Sequence, residues 1–347
     1  MARQGLGPVQ LQSSLHETIW GGEMLRTISG KPIPPGATIG ESWETALDAL
    51  ASNAPYTGQT LEQLVWAFGV EFIGTRAAAI FGLRFPLLAK FIDARADLSV
   101  QVHPGDTYAR EHEGGKLGKT ECWYILHAEL GASVIYGVKR HTTVEEVRRA
   151  VEETRLDELL NAFEVHAGDV IFVPAGTVHA ICSGVVLYEL QEYSDVTYRL
   201  YDYGRIQANG QPRELHLERG LDVMRYVPPR FERVAPLVIE ETPAYRRRVL
   251  VGCRYFVEEE LLLNGDMSCA TLPGSCQILS VLGGACIVRS DGREMTLPLG
   301  GTAVLPASLG EYSLAGSHVR LVRSYVPEAS DEALRTWRSH QPFPVED

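Results

Sequence analysis

Four side chains in the first half of the sequence are of types that hold metal ions, and their settings argue that they meet. In LSVQVHPGD, residues 98–106, Gln101 and His103 stand two apart in an apolar, β-type run. Side chains at i and i+2 of a strand share a face, so Val100 and Val102 pack one way while the glutamine and histidine look the other. Glu121 opens the strongly apolar run ECWYIL, where an unpartnered carboxylate costs on the order of several kcal/mol. His179 closes G-x5-P-x-G-x2-H, made by Gly168, Pro174, Gly176 and His179. The first glycine starts a strand, the proline and second glycine turn the chain, and the histidine re-enters facing inward. Taken singly, each has a plainer reading: a half-exposed strand, an ordinary hairpin, a satisfied core histidine. Together they offer two nitrogens and two oxygens, a donor set suited to a borderline divalent ion such as zinc. Glu121 is the one anion among them, so such an ion keeps about one unit of positive charge, as a catalytic Lewis acid does.

The elements that must carry these residues are mostly strands. RFPLLAKFI, LSVQVH, TECWYILH, ASVIYGV, DVIFVP and VVLYELQ are short apolar runs separated by glycine and proline, the rhythm of a sandwich or barrel. Two helices interrupt them. TLEQLVWAFG, residues 60–69, is apolar at helical spacing and stops at a glycine. The stretch 143–160 opens with Thr143 and Glu146 in capping-box spacing and predicts a helix through Leu159. PPRFERVAP, residues 228–236, reads as a linker, after which the strand rhythm returns in SCQILSVLGG, ACIVRSDG and HVRLVRSYV. The expectation is a mainly β protein of two units, 1–226 with the helices attached and 227–347.

The two units share a frame. Gly300, Pro306, Ser308 and Glu311 repeat the intervals of Gly168, Pro174, Gly176 and His179, with serine for the second glycine and glutamate for the histidine. Only the first copy then keeps a site that needs the histidine, and the second reads as support.

Composition narrows the classes. With 347 residues, 45% hydrophobic and 22% charged, the chain is an ordinary globular one with room for two cores. The net charge of −12 is spread along the sequence and no basic stripe suggests nucleic acid. No run reaches signal-peptide or membrane-spanning character, and the six cysteines have no framework spacing. A cytoplasmic, reduced protein, monomeric or weakly self-associating, is the expectation.

The motif ending at His179 resembles the second motif of cupins, small antiparallel β-barrels with an interior metal. KFIDARADLSVQVHPGD, GKTECWYIL, GDVIFVPAGTVHAI and LQEYSDVTYRLYDYGR, with IGESWE at 39–44, are similar in content and order to type I mannose-6-phosphate isomerases of the short bacterial form. That likeness runs from about Trp20 into the second unit. It implies two jelly-roll barrels in series, the second without a metal site, and one zinc ion held by Gln101, His103, Glu121 and His179. It implies that Lys119, two before Glu121, and Arg199 act in catalysis. It further implies that a basic residue near Arg205 meets the substrate phosphate. Ser99 is a plausible hydroxyl donor to that phosphate, and arginine's planar fork suits its oxygens. Longer members often carry histidine where Gly118 stands, so any role of that histidine is absent here or supplied elsewhere.

The activity implied is interconversion of mannose 6-phosphate and fructose 6-phosphate through an enediol. Lys119, Asp195 and Glu189, or a metal-bound hydroxide, are candidates for the base, and Asp195 also for ring opening. Glu189 shares a strand face with Gln191 and has a second reading, as a partner of Arg199. Lys90 and Asp93 are ambiguous, and His112, His127, His141, His166, His216 and His318 show no ligand spacing. The competing readings are a metal-dependent cupin oxygenase, a non-catalytic sugar-phosphate-binding cupin, and an isomerase of a neighbouring sugar.

Overall fold

The computed structural model describes residues 5–206 and 210–341; the outermost ends of the two expected units lie outside them. In chain order the strands are β1 (Val9–Leu11), β2 (Ser14–Gly22), β3 (Ile39–Trp43), β4 (Leu87–Ala94), β5 (Val100–Val102), β6 (Glu121–Ala128), β7 (Ser133–Val138), β8 (Leu160–Glu164), β9 (Val170–Val173), β10 (His179–Ile181), β11 (Val185–Glu192) and β12 (Tyr198–Tyr201). After the linker come β13 (Leu237–Glu241), β14 (Tyr245–Gly252), β15 (Val257–Ala270), β16 (Gln277–Gly283), β17 (Cys286–Ser290), β18 (Arg293–Leu297), β19 (Thr302–Leu305) and β20 (Glu311–Tyr325).

The first unit is a sandwich of two antiparallel sheets, ordered β12-β5-β10-β7-β8 and β2-β3-β4-β11-β6-β9. Ile92, Trp123, Ile125, Val134, Ile171, Ile181 and Leu187, drawn from both sheets, fill the space between them. The second unit is a nine-stranded sheet curled around Leu261, Leu279, Val281, Leu314 and Leu321. The sheets pack as facing layers, the mainly β, cupin-like architecture expected, and among the described residues no strand order closes into a hydrogen-bonded barrel. The N-terminal strand also crosses the boundary expected at residue 226, because β1 pairs with β19 of the second unit, Val9 opposite Val304.

The six-stranded sheet is buried on both faces. Along β6, Glu121, Trp123 and Ile125 point into the sandwich while Cys122 and Tyr124 join the core shared with the second unit. Along β11, Leu187 points in while Tyr188 and Leu190 point out. All eight residues of β4 and of β11 are buried, which is why these segments read as continuous apolar runs instead of alternating ones.

The first expected helix forms at Leu61–Phe68, with Thr60 and Gln63 making a capping box and Gly69 ending it. The second does not reach residue 160. It runs Val144–Glu152 behind the Thr143–Glu146 box. Thr154 then turns left-handed, at φ 57°, and Arg155 N donates to Ala150 O at 2.7 Å, closing the last turn. Threonine in place of the usual glycine hid this stop. Leu160 becomes the first residue of β8 and packs with Leu156 and Val147.

Between the units sits one buried acid. Glu258 on β15 is fully buried beside Cys122, and among the described residues no N–H or O–H reaches either of its oxygens. Burial pushes its pKa from the ordinary 4.5 up to about 8. The fold accepts the neutral form, so this group is tolerated below its unfolded pKa and costs stability as pH rises through about 8. Glu258→Gln should therefore gain on the parent between pH 5 and 9 by on the order of a few kcal/mol. Urea unfolding at both pH values measures this, and a pH-independent difference would contradict it.

Candidate metal centre and substrate cavity

The short strand β5 projects Gln101, and the chain just beyond it His103. In register, His179 on β10 lies opposite Gln101, and Arg199 on β12 lies opposite Gln101 from the other side. Glu121, the first residue of β6, comes from the facing sheet. His103, Glu121 and His179 are buried, each with a ligand atom within 4.8 Å of the others'. Glu121 Oε2 lies 3.5 Å from His103 Nε2, and Oε1 lies 3.4 Å from His179 Nε2. Gln101 Nε2 lies 3.4 Å from the same His179 nitrogen. The four residues singled out in the sequence thus converge, three of them fully buried and the glutamine partly so.

Backbone carbonyls set which ring nitrogen is available. His103 Nδ1 sits 2.9 Å from Val196 O and His179 Nδ1 sits 2.8 Å from Thr177 O. Each Nδ1 therefore carries the proton and donates, leaving the Nε2 lone pair facing Glu121, as metal-binding histidines are held. Burial and the neighbouring Lys119 ammonium keep both imidazoles neutral, His103 well below the usual range and His179 at about 4. Burial raises Glu121 to about 7 against the pull of Lys119. Its Oε1 is buried with no hydrogen-bond partner. Lys119 Nζ reaches into the set, 2.5 Å from Glu121 Oε2 and 2.9 Å from His103 Nε2. Lys119 lies in the loop ahead of β6, not on it, and points inward all the same. The donors are already arranged around the Lys119 ammonium, and an orphaned carboxylate oxygen beside two inward-facing imidazole nitrogens fits a divalent cation.

A cavity of about 320 Å³ opens from this group. Lys119, Gln101, His179, Ser99, Glu189, Asp195 and Arg199 line it. Arg199 Nε donates to Ser99 Oγ at 3.3 Å and Nη1 to Glu214 O at 2.9 Å. Asp195 is exposed at the mouth, paired with Lys116 at 2.8 Å. Arg205 is not among the lining residues; it is drawn onto Asp202 and the carbonyl of Asp97. The arginine on the wall is Arg213, which also binds Asp202, with Nε 2.7 Å from Oδ2. Nothing in its local sequence, GQPREL, separates it from a surface arginine.

Lys90 and Glu41, also on the wall, resolve one ambiguity. Glu189 pairs with Lys90 at 3.2 Å and accepts from Trp123 Nε1 at 3.2 Å, so its partner is Lys90 and not Arg199. Burial alone would raise Glu189, but Lys90 and Lys119 outweigh it and hold the carboxyl at about 2. Asp93 serves structure, accepting from Met24 N at 2.6 Å. His216 touches the region through its Nδ1, 3.3 Å from Arg199 N.

In the second unit Gln277 takes the place of Glu121. Glu121 lies opposite Val173, the residue before Pro174, and Gln277 lies opposite Leu305, the residue before Pro306. A neutral amide stands where the first unit has its anion, and it bonds Tyr312 Oη at 2.5 Å. Glu311, aligned with His179 in the repeat, is exposed, and Tyr312 next to it is buried. Arg323 and Glu259 form an ion pair at 2.6 Å on the same interior face.

Facing antiparallel sheets with a buried His–Glu–His group at one end of the interior define a cupin with a cation-binding core. Residues 9–124 match the family model described as phosphomannose isomerase type I, catalytic domain, and 247–326 match that of the mannose-6-phosphate isomerase cupin domain. The mannose-6-phosphate isomerase ManA of Bacillus subtilis is 40% identical over 319 residues, covering 89% of this chain and 96% of that protein. The mannose-6-phosphate isomerase of Streptococcus mutans is 36% identical, covering 89% and 95%. The crystal structure of the mannose 6-phosphate isomerase from Bacillus subtilis superposes with a TM-score of 0.82 at 33% identity, over 92% of this chain and 99% of that one. The chain belongs to the type I phosphomannose isomerase family.

The site makes a direct prediction. A divalent cation should bind one per chain and stabilise the apoprotein by about 4 kcal/mol at a free concentration a thousandfold above Kd, read as a higher thermal midpoint. Glu121→Gln should abolish that gain, as read by calorimetry and by metal content. A variant that still retains one tightly held ion would refute the assignment.

Proposed function

We propose that this chain is a zinc-dependent isomerase interconverting mannose 6-phosphate and fructose 6-phosphate by proton transfer between C2 and C1. The observation that carries the reading is the convergence of Gln101, His103, Glu121 and His179, with Gln101 and His179 on the wall of a cavity that Lys119 and Arg199 also line. The bound ion would polarise the substrate's carbonyl and hydroxyl oxygens.

The remaining work falls to the chain's own residues. Lys119 and Arg199 bear positive charge toward the cavity, where negative charge develops on substrate oxygen as the C2 proton leaves, and such fixed charges contribute most when water is excluded. Proton transfer is best served by a group with a pKa near working pH. Glu189, held at about 2, is a poor base and works as a fixed anion orienting Lys90 and the Trp123 indole against the sugar. Among the chain's own residues that leaves Lys119 and Asp195: neutral Lys119 would take the C2 proton, become the ammonium facing the enediolate and return the proton to C1, with Asp195 at the mouth for ring opening. The phosphate falls to Arg213 and Ser99, with Arg205 acting through Asp202, which it shares with Arg213.

The oxygenase reading is disfavoured by the donor set, in which a glutamine amide replaces one imidazole. A coupled assay for fructose 6-phosphate, with and without chelator, tests the proposal. Lys119→Met and Arg199→Ala should each lower turnover on the order of 10²-fold or more while zinc content stays at that of the parent. Turnover insensitive to the chelator, or unaffected by both substitutions, would overturn it.

A further inference from the structure

We infer that the second β unit takes part in the active site at a distance, with Tyr255 positioning Lys119. The inference rests on the catalytic reading of Lys119 above. Between His103 and Glu121 the chain leaves the sheet, forms the short helix Asp106–His112 and returns with Lys119. The return is pinned at its base: Lys119 N donates to Pro104 O at 3.0 Å and Gly118 N to Asp106 Oδ1 at 2.9 Å. Gly118 is packed so tightly that a Cβ there would lie 2.5 Å from Asp106 N and 2.7 Å from Gly105 C. The side chain that longer relatives carry at this position has no room, and the backbone contact it would displace is what aims Lys119.

Asp106 spends its second oxygen on the other unit. Tyr255 Oη donates to Asp106 Oδ2 at 2.9 Å. Tyr255 lies in the turn between β14 and β15, 6% exposed, its ring 6.1 Å from that of Phe81. One residue past Lys119, Thr120 N is held by Glu192 Oε1 at 2.8 Å. Burial and the adjacent Asp106 carboxylate push Glu192 well above the usual range. A hydroxyl of the second unit thus fixes the carboxylate that fixes the amide preceding Lys119. The contact of Tyr188 Oη with Ser280 Oγ at 3.1 Å, also between the units, lies outside this segment.

Tyr255→Phe keeps the ring and removes the donor. The experiment compares parent, Tyr255→Phe, Asp106→Asn, the double variant and Ser280→Ala, the last breaking a unit–unit hydrogen bond elsewhere. Tyr255→Phe should lower kcat roughly tenfold with KM changed less than about twofold, the signature of a misplaced catalytic group, at unaltered zinc content. In the Asp106→Asn background it should add little, since the two act through one contact. Backbone hydrogen exchange across residues 113–121 should quicken in Tyr255→Phe and not in Ser280→Ala. Parent-like kcat, unchanged exchange, or the same losses in Ser280→Ala would each overturn the inference. If the parent itself proves to lack isomerase turnover, the functional reading fails, and the exchange measurement alone then decides whether Tyr255 anchors the segment.

Discussion

One carboxylate in the wrong solvent organises this structure. Glu121 has no exposed surface and begins a strand whose next residues are Cys122, Trp123 and Tyr124, all buried. A lone ion there is unaffordable, and the surroundings answer it with a single ammonium and two imidazoles held neutral. One unit of positive charge from Lys119 does not satisfy both oxygens, since Oε1 stays without a partner. The fold has built a deficit of positive charge at a fixed point and oriented two nitrogen lone pairs at it. A cation-binding centre is what such a deficit amounts to, and its rigidity comes from the Val196 and Thr177 carbonyls that hold the rings.

The six-stranded sheet lets this point communicate with the rest of the chain. Because side chains alternate along a strand, β6 gives Glu121 and Trp123 to the cavity and Cys122 and Tyr124 to the interface, where Tyr124 Oη bonds Glu260. β11 does the same with Glu189 inward and Tyr188 outward. The second unit is therefore no appendage: it covers the back of the sheet that carries the site, and β1 laces the N-terminus into it. Having lost the anionic position to Gln277, it keeps the frame of a metal cupin and contributes packing instead of a donor set.

Much of this was legible because the sequence rules involved are local and strong. The i, i+2 pair Gln101 and His103, the glutamate in an apolar run and the Gly-Pro-Gly-His turn each force a side chain inward, and inward side chains of a small sandwich must meet. The capping box at Thr143 marked its helix start correctly for the same reason. The failures lie where tertiary packing overrides local pattern. The helix expected to residue 160 stops at Glu152 because Thr154 accepts a left-handed turn so that Leu156 and Leu160 can be buried. Arg205 and Arg213 look alike in sequence, and only the shared Asp202 decides which one reaches the cavity wall. The pairing of Glu189 with Lys90 depends on β4 and β11 lying side by side, Lys90 opposite Glu189, which no spacing along the chain records.

Charge joins the two halves of the proposed site. The cavity and its floor carry Lys90, Lys119, Arg199 and Arg213 against Glu41, Glu121, Glu189 and Asp195, four positive charges and four negative. Within a protein of net charge −12, that balanced pocket would hold a phosphomonoester dianion poorly, because each arginine is already engaged, Arg213 by Asp202 and Arg199 by Ser99 and a carbonyl. A divalent ion at Glu121 would bring the pocket to about +2, the charge that complements a dianion. On this reading the metal and the phosphate sites are coupled electrostatically though they occupy different ends of the cavity. The ion's contribution would extend to drawing in the substrate as well as polarising it.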